Sequence, residues 1–225
     1  MTVDAHSPAV RTPFIHCAVV GDAWNNAAVN TDSFWALIEE CRRQTQSRDG
    51  RLALLRSELS RRPIAEIARF QVCLDRVTDQ ACTWDLMAAA ERIRGHWSCQ
   101  DVEFGYFGLW MVGLGRDAFT RAVVRPDTLA DTAEVRWLAD RPRDEWNDNR
   151  PEWGALDHVA VQAYGLRTGE ADGYEDAFDE AVEAQRGDEV FRGLAGDQWD
   201  VSEEDEAARR LPQLSAMFAC TPFPR

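Results

Sequence analysis

Residues 63–77 read PIAEIARFQVCLDRV, and their spacing decides the fold class. Ile64, Ile67, Phe70, Leu74 and Val77 recur three or four positions apart, which stacks them along one face of an α-helix. Pro63 suits the first turn, where its missing N–H costs no hydrogen bond. The same period continues upstream. Thr31 and Asp32 are N-cap residues ahead of Phe34, Leu37, Ile38 and Cys41, spaced i, i+3, i+4, i+7. Asp49-Gly50 predicts a break, after which Leu52, Leu55 and Leu59 mark a short helix.

Downstream, Thr83 caps a helix containing Trp84, Met87, Ala90 and Ile93, closed by Gly95. Ser98 with Asp101 resembles a capping box with Asp in the Glu position, and Phe104, Phe107, Met111 and Leu114 continue to Gly115. Short helices are predicted over 117–124 and 133–138, separated by a turn at Pro126-Asp127. Residues 140–153, DRPRDEWNDNRPEW, are polar, proline-bearing and aperiodic, so they predict a long loop. A helix over 156–167 places Leu156, Val159, Ala160, Ala163 and Tyr164 inward and ends before Gly169. An acidic helix is predicted near 174–185, and a final one capped by Ser202 is restarted or kinked by Pro212. There is no internal repeat. The reading is all-α or nearly so: a compact multi-helix bundle over residues 31–225 with an N-terminal arm at 1–30, where Thr12 to Val20 suggest a short strand.

Composition narrows the function classes. A chain of 225 residues with 45% hydrophobic content builds a packed globule rather than a disordered chain. The net charge is −14, and no lysine occurs, so every fixed side-chain cation is an arginine. A field of that sign repels phosphate backbones, which argues against nucleic acid or an anionic membrane as partner and leaves room for a basic protein or a small molecule. The six cysteines are scattered, with none at C-x-x-C spacing, and no charged segment followed by an apolar run opens the chain. Free thiols in a reducing cytoplasm are therefore expected. No stretch has the length and apolarity of a membrane span.

The run from Cys99 to Trp110, CQDVEFGYFGLW, resembles the signature C-S-D-D-x-F-x-Y-F-R-x-W of the bacterial domain-of-unknown-function family numbered 4240. Cys99, Asp101, Phe104, Tyr106, Phe107 and Trp110 match it. Phe34-Trp35 with Leu37-Ile38, Gly115-Arg116 through residues 126–130, and Ala163-Tyr164 with Thr168-Gly169 fit the same family. Gln100, Val102 and Gly108 depart from the pattern, where the family carries Ser, Asp and Arg, so half of any polar site built from that set is missing. The resemblance implies a helical bacterial cytoplasmic domain and no particular reaction.

Chemically able side chains are densest at 96–103. His96 beside a carboxylate is a general acid–base candidate, and Cys99 at a helix N-terminus is a nucleophile candidate. The plainer reading makes Asp101 a helix cap and packs Cys99. His158 has no second ligand at a regular spacing and Asp157 suits the helix dipole, so no metal is expected. No cofactor fingerprint occurs: the glycines at 105, 108, 113 and 115 form no phosphate loop, and no Gly-x-Ser-x-Gly elbow is present. Tyr106, Arg116, Trp146 and Trp153 are the ligand- or partner-binding candidates. The two tryptophans in the polar loop either anchor a protein contact or fold back as a lid. The expectation is an acidic helical protein-binding module of regulatory, inhibitor or immunity type. The alternative is a small-molecule site or enzyme around His96, Asp101 and Tyr106, with His158 as a further catalytic candidate.

Overall fold

The computed structural model describes residues 31–95, 101–170, 172–186 and 193–218. The arm at 1–30 with its expected strand, and Ser98 of the capping pair, lie outside them. The described chain is built from α-helices: α1 Asp32–Gln44, α2 Arg48–Ser60, α3 Ile64–Gln80, α4 Trp84–Arg94, α5 Asp101–Gly113, α6 Arg116–Val124, α7 Ala133–Ala139, α8 Val159–Thr168, α9 Glu175–Arg186, α10 Glu204–Arg210 and α11 Pro212–Met217. Tight 3₁₀ turns at Pro126–Asp131, Arg143–Glu145, Asn147–Asn149 and Gly154–His158 connect them. No strand occurs among the described residues, and a single isolated bridge pairs Thr83 with Ala195.

The helices form where the apolar period places them. α1 buries Phe34, Leu37, Ile38 and Cys41 together with Trp35. Asp49-Gly50 does not break the chain: the Ser47 hydroxyl accepts from the Gly50 N–H and draws both residues into the first turn of α2. This is an N-cap hydrogen bond, which satisfies one of the donors orphaned at a helix start. At the start of α4, Thr83 Oγ1 accepts from the Leu86 N–H at 3.1 Å, and Gly95 ends the helix at φ 84°. α3 lies at the centre, packed against α8 and α9, while α2 packs on α1 and α8. Of the α3 stripe only Ile64 is exposed. On α5, Phe107 and Met111 are fully buried, with Phe107 between the rings of Phe104 and Trp110.

The polar loop at 140–153 departs most from expectation. It holds two 3₁₀ turns, and its tryptophans face inward, Trp146 being 3% and Trp153 7% exposed. The exposed-anchor reading of these two residues is corrected, and the fold-back alternative describes them. Burial of Trp146 is tolerated because its indole N–H donates to the Leu138 carbonyl at 3.0 Å. Guanidiniums pin the rest of the loop. Arg48 donates to the carbonyls of Arg150 and Glu152, both at 2.9 Å, and Arg143 to those of Ile93 and Arg92. A planar fork with several donors can hold two carbonyls at once, which a lysine ammonium does with less geometric definition.

The C-terminal helices close the other side. Ala195 exchanges backbone hydrogen bonds with Cys82 and Trp84. Arg92, only 3% exposed, makes a two-pronged contact with Glu204 at 2.9 and 2.6 Å. Pro212 restarts the helix as α11. The expected cap residue Ser202 stands short of α10, donating its N–H to Asp200. None of the described helices is long and apolar enough to cross a membrane.

Candidate functional site

The candidate residues fall in separate places. His96 and Cys99 lie outside the described residues, and Asp101 is the first residue of α5, its side chain likewise outside them. The three described thiols, Cys41, Cys73 and Cys82, are free. Burial pushes all three up, Cys82 to about 12, so none is a ready thiolate. Among the described residues no group of three or more His, Cys, Asp or Glu is arranged to hold a metal ion.

Tyr106 and Trp153 meet where α5 crosses the turn ahead of α8. The Trp153 N–H donates to the Tyr106 carbonyl at 3.0 Å. A Cβ at Gly154 would stand 2.8 Å from the Tyr106 ring, and one at Gly113 would stand 2.8 Å from the Trp153 ring. Both glycines are therefore required by close approach of an aromatic face. Gly154→Ala should cost about 1–3 kcal/mol of unfolding free energy, read by urea denaturation. An unchanged midpoint would mean that this contact does not hold the turn. His158, half-buried, ends the same turn.

Arg116 stands apart, at the start of α6, where a cleft of about 660 Å³ opens between α1 and α6. Its backbone N–H donates to Glu39 at 2.9 Å and its guanidinium to Asp32 at 2.7 Å. Arg42 also binds Glu39. The cleft thus holds its own charges in alternating pairs and presents little excess of either sign. Arg116 is exposed, so its ion pair adds little to stability.

Sequence reasoning did not find the most unusual polar group. Gln71 on α3 is only 2% exposed, and its side-chain N–H donates to Asp75 at 2.8 Å and to Asp157 at 3.3 Å. One amide therefore bridges two carboxylates, while the Gln71 Oε1 is buried with no hydrogen-bond partner among the described residues. Arg186, at the end of α9, reaches Asp75 Oδ2 at 2.5 Å, and both side chains are 18% exposed. Burial raises the Asp75 carboxyl; the Gln71 hydrogen bond and Arg186 oppose this, and Asp157 adds to it. Asp157, expected to complement a helix dipole, stands in the turn that leads into α8 and also accepts this hydrogen bond. One signal was available: Gln71 and Asp75 are polar residues an i+4 step apart, on either side of the apolar Val72, Cys73 and Leu74.

Where the signature run departs from its relatives, Gly108 is buried against α3. A Cβ there would meet Thr78 at 3.9 Å, an ordinary contact. The larger side chain of the family pattern is absent at a close helix crossing.

A family model described as a protein of unknown function (DUF4240) matches residues 29–165, more than half of the chain. No curated protein and no solved structure matches it. The expectation drawn from Cys99 to Trp110 and its flanking stretches thus holds, and the chain belongs to the DUF4240 family.

Proposed function

We propose that this protein is an acidic helical module that binds a basic protein partner, with the outer face of α9 as the contact surface. The observation that carries the reading is the placement of charge on this helix. Glu175, Asp176, Glu180 and Glu183 are exposed, while the sole cation of α9, Arg186, is turned inward onto Asp75. Glu183 shares that arginine, but Glu175, Asp176 and Glu180 have no ion pair among the described residues. A one-sign surface of this kind concentrates oppositely charged partners and speeds their association, increasingly so at low salt. With Trp146 and Trp153 buried, the contact is electrostatic rather than anchored on those rings. A regulatory, inhibitor or immunity role fits such a surface.

The test compares the protein with a variant carrying Glu175→Lys, Asp176→Lys and Glu180→Lys. Both are immobilised and exposed at low and high salt to a lysate of the organism that encodes the chain. A stoichiometric basic protein held by the parent, released by salt and lost by at least about tenfold in the variant supports the reading. A partner held equally by both removes α9 from the interface, and capture of nothing sinks the proposal.

A further inference from the structure

We infer that Arg48 and Arg51, at the start of α2, form a binding site for a phosphate group, free or carried by a small molecule. The site uses no residue of α9 and is independent of the partner reading above.

These two cations differ from the other shielded arginines of the chain. Arg42, Arg62, Arg92, Arg94, Arg186 and Arg210, all partly or fully buried, each pair with a carboxylate. Arg48 and Arg51 are also half-buried but hold backbone carbonyls alone. Arg48 Nη1 donates to those of Arg150 and Glu152, while Arg51 gives Nε to Thr45 and Nη1 to Gly113. Neither has a carboxylate partner among the described residues, although the chain carries 39 acidic side chains.

The remaining nitrogens make an open donor array. Nε and Nη2 of Arg48 form one whole edge of a guanidinium, the arrangement that grips an oxyanion with two parallel bonds. Nη2 of Arg51 supplies a third donor. None of these nitrogens is buried without a partner, so all three open to solvent. A three-residue step along α2 sets both side chains on one face, at the positive end of the helix. Donors from two guanidinium planes suit a tetrahedral group, whose oxygens point in several directions. A planar carboxylate matches a single fork.

The local field has the same sense. Arg42 stands beside Gly115, two residues beyond the carbonyl that Arg51 holds, and its charge acts on Arg51. Glu152 and Asp148 oppose this near Arg48, Glu39 near Arg51, and Glu134 near both. Burial, then the neighbouring guanidinium, pulls each of Arg48 and Arg51 below the ordinary arginine value, and both stay charged at neutral pH. An anion held between two such like charges relieves their repulsion. The net charge of the chain repels a polyanion spread over its surface. A single small anion answers mainly to charges within a Debye length of about 8–10 Å.

The experiment titrates the nitrogen-15-labelled whole protein with inorganic phosphate at fixed ionic strength, following the Arg48 and Arg51 Nε–H signals and the Gly113 amide. Saturable shifts are expected, with acetate weaker by at least about tenfold. Arg48→Gln, whose amide still offers a donor to the loop carbonyls, should weaken phosphate by about tenfold or more. Glu134→Gln removes an exposed opposing charge and should tighten phosphate about two- to fivefold, a gain that damage to the fold does not produce. A phosphate monoester that saturates the same signals more tightly than inorganic phosphate supports a larger ligand, and the reverse order supports the free ion. Absence of saturation overturns the inference. So does acetate binding as tightly as phosphate, an unchanged affinity in Arg48→Gln, or no gain in Glu134→Gln.

Discussion

Phe107→Ala should lower the unfolding free energy by about 3–5 kcal/mol, the largest loss expected of any single truncation here. Phe107 is fully buried in α5, 5.2 Å between ring centroids from Trp110 and 6.4 Å from Phe104. Removing it forfeits the transfer free energy of a whole ring and leaves a space that neighbours in three helices must collapse to fill. Since α5 packs on α1, α3 and α4, relaxation of one neighbour disturbs the others. Urea denaturation followed by tryptophan fluorescence measures the change. A loss below about 1 kcal/mol would mean that the Phe107 ring is not tightly packed among these helices.

The second large effect is expected at Asp127, a carboxylate only 5% exposed. It accepts from the backbone N–H groups of Gln213 and Leu214, at 3.0 Å each, and from the Gln213 side chain. It thus satisfies donors at the start of α11 that have no partner within the helix. Asp127→Ala should cost about 2–3 kcal/mol, because the Leu214 N–H stays buried after its acceptor has gone and the Gln213 donors lose theirs as well. Asp127→Asn keeps one acceptor oxygen and should lose less. Equal losses in the two variants would show that shape, not hydrogen bonding, matters at this position.

Much of the fold is legible in the sequence because helices declare themselves locally. The stripes of α1 and α3, the Thr83 cap and the closing glycines at 95 and 169 are all decided within a few residues. Asp49-Gly50 misleads because a turn signal and the first turn of a capped helix use the same residues, and the Ser47 hydroxyl decides between them. The tryptophans at 146 and 153 mislead for another reason. Their polar neighbours suggest solvent, but distant guanidiniums bind the loop's carbonyls and carry its rings inward. The cluster around Gln71 is least legible. Its hydrogen bonds join residues 86 and 111 positions apart, a separation at which no periodicity in a single sequence carries information.

The helices that follow the family match also bear on the order in which the chain matures. Residues 29–165 leave the ribosome before Phe178, Leu211 and Leu214, all of which sit in the same hydrophobic cluster as the matched segment. Until they emerge, Arg92 lacks Glu204, and Asp127 lacks the backbone donors of α11. A nascent chain that has exposed only the matched segment holds an incomplete core and two charged groups without their final partners. Its folding is therefore completed after translation has reached the last helices, and a stalled intermediate is the species most open to capture by chaperones.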